Sequence, residues 1–538
     1  MLAAHSPGAH IRRMTRLASR FALALGLLAT GQQTSAQSPA GARPTLVVLI
    51  TIDQMRGDYL ERFGSQLTGG LGRLMRGGAW YTNAHHDHAI TETAPGHATL
   101  LSGRFPRSTG ITANRVGVDD VAAPLIANGV GPGASPKRFV GTTLSDWLTA
   151  NDRRSRTFSV STKDRGAILP VGTSRSQVYW YSPDGRFVTS TYYRDALPPW
   201  VEAFNDRHFP QTFAGRSWDL LLPDSAYHEA DSVSAEGGGS GFVFPHVLPD
   251  DPIDAASIVR GTPFIDEITL AFALHGVRSL SLGAAPQTDL LAISLSGTDY
   301  IGHRYGPDSR EMHDQIVRVD RALGAFLDSL YRLRDSTRVT LVLTGDHGVG
   351  TIPELAPATT RPTPARVTLY PLLPALRAGL RTAGVDTLAF EIDQPIVLVD
   401  RLAFEKTKVN ADSAIASFAD QVRRLPGVAR VDRLEALRAD TLSDPIARRW
   451  SHQFPPSAPV ELVVTLTPFS LWQGNIASHG SPYDYDSNVP LVFYGAGVQP
   501  GKHAEFVRTV DLAATLAEIA GVRPLERLDG VVLRNALR

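Results

Sequence analysis

Pro44-Thr45-Leu46-Val47-Val48-Leu49-Ile50-Thr51-Ile52-Asp53 decides the fold. Its aliphatic and β-branched residues run on without polar alternation, the pattern of a strand buried on both faces in a parallel sheet under helices. Similar runs recur at Thr157–Ser161, Leu290–Leu295, Val339–Leu343 and Pro490–Tyr494. Among them lie helical patterns. Ile316, Val319, Leu323, Phe326, Leu330 and Leu333 step by three and four along one face, and a second helix is predicted from Val510 to Ala520, stopped by Gly521. Strands alternating with helices imply an α/β sandwich around a mostly parallel sheet.

Working outward, acids and histidines fall where these strands end. Asp53 closes the first run, and Gly297-Thr298-Asp299-Tyr300-Ile301-Gly302-His303 follows the Leu290–Leu295 run. Gly345-Asp346-His347-Gly348 follows Val339–Leu343, and Ser478-His479-Gly480 precedes the last strand. In an open α/β sheet the ligand crevice lies at the carboxyl ends of the strands. Asp53, Asp299, His303, Asp346, His347 and His479 arriving at one edge could bind two divalent ions, and mixed imidazole and carboxylate donors suit zinc better than magnesium or calcium. His85-His86-Asp87-His88 looks metal-binding in isolation but reads as a structured loop leading into the next motif.

That motif is Thr91-Glu92-Thr93-Ala94-Pro95-Gly96-His97-Ala98-Thr99, expected at the start of a helix. Thr93 is either a helix cap or a nucleophile. A threonine hydroxyl becomes a competent nucleophile only beside a base or a metal, and a helix N-terminus would also draw in an anion.

Two stretches depart from the alternating pattern. Residues 351–475 begin with Pro353, Pro357, Pro362 and Pro364, then alternate short strands (Ile396–Val399, Val460–Leu466) with helices such as Ala411–Leu425. They are expected to form an inserted α+β cap subdomain, leaving 37–350 and 476–538 as the catalytic domain. A further insertion is expected at about 175–285, around Gly237-Gly238-Gly239-Ser240-Gly241.

Composition limits the remaining possibilities. The chain has 538 residues, no cysteine, and 53 basic against 53 acidic residues. No cysteine means no disulfide framework, iron–sulfur site or thiol nucleophile. The charge balance argues against a nucleic-acid binder. Residues 1–36 hold Arg12, Arg13, Arg16 and Arg20 and no acid, then an apolar run from Phe21 and an exit at Thr34-Ser35-Ala36. This is the pattern of a secretory signal, too short for the roughly 20 residues of a membrane span. Cleavage near Ala36 would remove four arginines, leaving 49 basic and 53 acidic residues, net −4. The expected mature protein is periplasmic or secreted, without a stable membrane anchor, and monomeric; Arg12-Arg13 leaves the export route open between Sec and Tat.

Together, Asp53, the Thr93–His97 segment, Asp299-x3-His303, Asp346-His347-Gly348 and Ser478-His479-Gly480 resemble, in type and order, the alkaline phosphatase superfamily. Thr51-Ile52-Asp53-Gln54-Met55-Arg56-Gly57-Asp58-Tyr59, Ser161-Thr162-Lys163-Asp164-Arg165-Gly166-Ala167-Ile168 and His479-Gly480-Ser481-Pro482-Tyr483 are similar to its phosphate-irrepressible periplasmic members. The resemblance implies a three-layer α/β/α sandwich and two Zn2+ ions. One would be held by Asp299, His303 and His479, the other by Asp53, Asp346, His347 and the Thr93 oxygen. It further implies that Thr93 attacks phosphorus to give a phosphothreonine, which water activated at the first metal then hydrolyses. Asn114 matches a residue that binds a phosphoryl oxygen. Lys163 and Arg165 match residues that separate monoesterases from diesterases, since a monoester dianion carries one more negative charge than a diester. Pro95 and Gly96, where other members have different residues, fit a helix's first turn.

The expected activity is therefore hydrolysis of small phosphate monoesters. The alternative is a phosphodiesterase or nucleotide pyrophosphatase of the same superfamily. A sulfatase is disfavoured by the missing cysteine, and a catalytically dead fold by the complete ligand set. A P-loop is disfavoured because His503 follows Gly501-Lys502.

Overall fold

A computed structural model describes residues 43–438 and 443–538. The expected leader, residues 1–36, lies outside the described residues. The central sheet takes from the chain before the cap β1 (Leu46–Ile52), β2 (Ala79–His85), β3 (Thr157–Ser161), β4 (Gln177–Ser182), β5 (Arg186–Val188), β6 (Asp289–Leu295) and β7 (Val339–Gly345). With them come helices α1 (Thr93–Leu100), α2 (Asp164–Ile168), α3 (Phe264–Ser279), α4 (Gly297–Tyr305) and α5 (Arg310–Leu333). The cap contributes β8 (Phe390–Asp393), β9 (Ile396–Val399), α6 (Ala411–Arg423), β10 (Val428–Arg433), α7 (Pro445–Gln453) and β11 (Val460–Leu466). The chain then returns through β12 (Asn488–Gly495), β13 (Gly501–His503), β14 (Val507–Arg508) and α8 (Asp511–Ala520).

The central sheet runs β13-β2-β12-β7-β1-β6-β3-β4-β5, with β14 also on β2. The strands β7, β1, β6, β3 and β4 are mutually parallel, while β12 and β5 run against their neighbours. All of β1 is buried, as its apolar run required. Its alternate side chains feed two cores: Leu46, Val48, Ile50 and Ile52 face the layer of α3 and α5, and Val47 and Leu49 face the layer of α8. Two apolar faces on one strand are the physical cause of the three-layer sandwich. On α5 the expected stripe is buried at Ile316, Val319, Leu323, Phe326 and Leu330 and half-buried at Leu333, and α8 ends at Gly521 with a left-handed φ of 64°.

The stretch expected as an insertion at about 175–285 is partly integral to this body. Its β4 and β5 extend the sheet, and α3 covers β3 and β6. The reason is apolar: Val178, Tyr179, Phe187 and Phe272 are all buried. The region between β5 and α3 adds no strand to the sheet: it holds short helices at Pro199–Asn205 and Pro252–Ile258 and the pair Ser217–Trp218 with His246–Val247, and its Val201, Phe204, Phe213 and Trp218 pack into the main core.

The cap builds its own antiparallel sheet, β8-β9-β11-β10, over a separate core that includes Val397, Ile415, Phe418, Val431 and Leu462. Another cluster joins cap residues Leu434, Trp450, Phe454 and Val463 to Ala89 and Ile90, which lead into α1. Among the described residues no helix is long and apolar enough to cross a membrane.

Candidate active site and metal centre

The parallel register brings the strand ends level. Ile52 pairs with Leu295 on one side and Gly345 on the other, so Asp53, the start of α4 and Asp346 emerge side by side. Asp299 and His303 lie four residues apart on α4 and face the same way. His479 comes from the loop before β12 and Thr93 from the first position of α1.

Two groups of donor atoms result, each within 4.8 Å: Asp299, His303 and His479, and Asp53, Asp346 and His347. Each imidazole donates Nδ1–H to a backbone carbonyl: His303 to Ala477 at 2.9 Å, His347 to Gly348 at 2.9 Å, and His479 to Thr91 at 2.7 Å. That fixes the tautomer and leaves each Nε2 lone pair for the cluster, the usual arrangement of metal-binding histidines. Asp53 Oδ1 is buried with no hydrogen-bond partner among the described residues. Nitrogen and carboxylate donors with an orphaned anionic oxygen fit zinc.

Burial, reinforced by Asp299 and Asp346, raises the Asp53 carboxyl well above its usual range. Burial pushes Asp299 the same way, but Lys163, His303 and His479 outweigh it and hold that carboxylate well below the usual range. His347 and His479 are lowered chiefly by burial, and neutral imidazole is the ligating form.

Lys163, only 6% exposed, sits at the centre. Its Nζ lies 2.6 Å from Asp53 Oδ2 and 2.5 Å from Asp299 Oδ2, spanning both donor groups, and 3.5 Å from Thr93 Oγ1. Burial opposes its charge, but Asp299 and Asp53 overcome this and keep the ammonium protonated. His347 Nε2 is 3.4 Å from Thr93 Oγ1 on the other side. Arg165, in the first turn of α2, is raised against burial by Asp164, Asp53 and Asp299, and its Nε has no partner among the described residues. Asn114 donates its N–H to Glu92 Oε2 at 2.6 Å, and its Oδ1 accepts the Ala94 N–H at 2.8 Å. Its Nδ2 is thereby left to donate elsewhere.

Every site residue expected from the sequence converges here. One expectation needs correction: Ala94 gives its N–H to Asn114 and Pro95 has none, so the α1 terminus offers an anion less than a free helix end would. Gly96 is needed for packing, because a Cβ there would stand 2.2 Å from the Asp346 carbonyl oxygen. His85 belongs to β2 rather than to the following loop. His86 contacts the Gly345 carbonyl, Asp87 pairs with Arg448, and none of the four joins a metal group among the described residues.

Sequence reasoning missed three supporting side chains. Gln54, with a left-handed φ of 66°, donates its N–H to Asp346 Oδ1 at 3.0 Å and Nε2 to Asp299 Oδ1 at 2.9 Å. His97 Nδ1 lies 2.9 Å from the Thr93 carbonyl and 3.1 Å from Asp346 Oδ2. Glu92 holds Asn114. His97 and Glu92 stood inside the quoted motif, and their position flanking Thr93 was the available signal.

A family model described as "Type I phosphodiesterase / nucleotide pyrophosphatase" matches residues 47–363. Alkaline phosphatase PhoV of Synechococcus elongatus is 31% identical over 92% of this chain and 94% of its own. Alkaline phosphatase PafA of Elizabethkingia meningoseptica is 29% identical over 93% and 96% respectively. The crystal structure of wild-type PafA superposes with a TM-score of 0.85 at 27% identity, covering 93% of this chain and 100% of that one.

Proposed function

Because this chain belongs to the type I phosphodiesterase / nucleotide pyrophosphatase family, we propose that it cleaves phosphate monoesters through a phosphothreonine formed on Thr93 at a two-zinc centre. The chain is a phosphoric monoester hydrolase of the alkaline phosphatase kind, in keeping with its near full-length likeness to PafA and PhoV. Its export rests on the leader pattern of residues 1–36.

One observation carries the monoester reading: the Lys163 ammonium, 3.5 Å from Thr93 Oγ1. A fixed cation at the nucleophile, with Arg165 beside it, stabilises the extra charge of a monoester dianion and the charge on its equatorial oxygens in the transition state. Asp299, His303 and His479 would hold one zinc, and Asp53, Asp346, His347 and Thr93 Oγ the other. Bound zinc supplies Lewis acidity, lowering the pKa of a coordinated hydroxyl and offsetting charge on the transferred group.

The chain's own residues do the rest. His97 and the α1 backbone fix Thr93, and Thr93 Oγ, its proton lost to solvent, forms the bond to phosphorus. The ester P–O bond breaks as this bond forms, and the departing alkoxide takes a proton from solvent. The Asn114 amide donates to a phosphoryl oxygen, while Gln54 holds Asp299 and Asp346 in register. Water then cleaves the Thr93–O–P linkage, returning the hydroxyl and releasing phosphate.

The test compares turnover of p-nitrophenyl phosphate with that of its diester, and acid-quenches the monoester reaction for peptide mapping. Monoester preference with phosphate on Thr93 is expected. Diester preference would favour the phosphodiesterase reading that the family description also covers, and phosphate on another residue would remove Thr93 from its role.

A further inference from the structure

The last residue of cap helix α7, Gln453, is fully buried, at 0% exposure. Its Oε1 accepts the Ile90 N–H at 2.8 Å, and its Nε2 donates to the Thr112 carbonyl at 2.6 Å. Ile90 lies three residues before Thr93, and Thr112 two before Asn114. One side-chain amide therefore uses both of its ends to span the two segments that deliver the nucleophile and its phosphoryl-binding partner.

The rest of α7 keeps that amide in place. Arg448 Nε donates to both oxygens of Asp87 at 3.0 and 3.1 Å, and His452 Nδ1 donates to the Asp87 carbonyl at 2.6 Å. Buried Arg449 donates to the Pro482 carbonyl and, at 2.9 Å, to Asp484 Oδ1, both in the loop after His479. Trp450 packs in the same apolar cluster as Ala89 and Ile90. A buried amide with both ends satisfied by backbone is directional, so no apolar side chain reproduces it.

We propose that Gln453 is a positioning residue that sets the Asn114 segment against Thr93, making the cap a brace for the reacting groups. Asn114 is already tied to Ala94 and Glu92, but both belong to the Thr93 segment itself. Gln453 links its approach to a third segment, the cap helix α7. The inference rests on the proposed roles of Thr93 and Asn114. A shift of about 1 Å in such a constellation costs up to on the order of 100-fold in rate.

The experiment is a double-mutant cycle on the zinc-loaded full chain, using p-nitrophenyl phosphate. Gln453→Met should lower kcat/KM on the order of 10-fold or more at unchanged metal content. In an Asn114→Ala background the same change should lower it little further, because the residue it positions is gone. Arg401→Ala, which breaks an exposed cap ion pair with Glu461 and Asp412, should leave kcat/KM unchanged. If Gln453→Met does not fold, Gln453→Glu, which keeps the acceptor for Ile90, takes its place in the cycle. Normal kcat/KM in the Gln453 variant beside an impaired Asn114→Ala overturns the inference alone, as do effects that multiply in the double variant. A fully active Asn114→Ala overturns the underlying reading of Asn114.

Discussion

Asn114 Oδ1 accepts the N–H of Ala94, the residue after Thr93, at 2.8 Å. This bond engages the oxygen end of the amide and leaves Nδ2, the donor assigned above to a phosphoryl oxygen, at the other end. Asn114→Asp keeps the acceptor for Ala94 but replaces the donor with a negative charge that repels phosphate. A loss of kcat/KM on the order of 100-fold or more is expected at unchanged melting temperature. An Asp variant as active as the parent would show that Nδ2 does not touch the phosphoryl group.

Lys163 and Arg165 should govern the choice between esters. Removing both, Lys163→Ala with Arg165→Ala, should lower monoester turnover on the order of 100- to 1,000-fold while diester turnover falls far less. Steady-state rates on the two p-nitrophenyl esters measure the ratio. Equal losses on both would separate these cations from monoester selectivity.

Chelation should abolish activity and also lower the melting temperature, because a ligand that binds only the folded state stabilises it. Without metal, the carboxylates of Asp53, Asp346 and Asp299 repel one another, and Lys163, paired with Asp53 and Asp299, offsets part of that repulsion. Zinc should restore both properties, with two ions per chain by mass spectrometry. Restoration by magnesium alone would contradict the mixed imidazole and carboxylate donor set.

A stability slope with pH should come from Asp266. Burial raises its carboxyl to about 7 from the ordinary 3.8. Its Oδ1 accepts the Gly297 N–H and its Oδ2 accepts Gln315 Nε2, locking the start of α4 to α3 and α5. Between these two values the folded chain retains a proton that the unfolded chain has released. The contribution is therefore fully present below about pH 4 and is lost as pH rises to about 7. Asp266→Asn, the neutral isostere, should flatten that part of the slope in denaturation curves taken from pH 5 to 9. Parallel curves for variant and parent would exclude Asp266 as the source.

Much of this candidate site could be read from the chain because several of its side chains follow directly on strand ends. Where Leu46–Ile52 forms a buried strand, Asp53 must follow at its carboxyl end, and the same holds for Asp346 and His347 after Val339–Gly345. Local periodicity likewise marked the α5 stripe and the Gly521 stop.

Tertiary structure alone decided the contacts that cross hundreds of residues. Gln54 reaches Asp299 across 245 positions, and Gln453 reaches Thr112 across 341. The incorporation of β4, β5 and α3 into the main body belongs to the same class. Periodicity and motif order report which face of an element is apolar and which polar groups flank it. They carry no information about which distant backbone group a single buried amide will meet. That pairing exists only once the cap has docked and buried Ala89 and Ile90 against Trp450, where an unpaired polar group would cost stability.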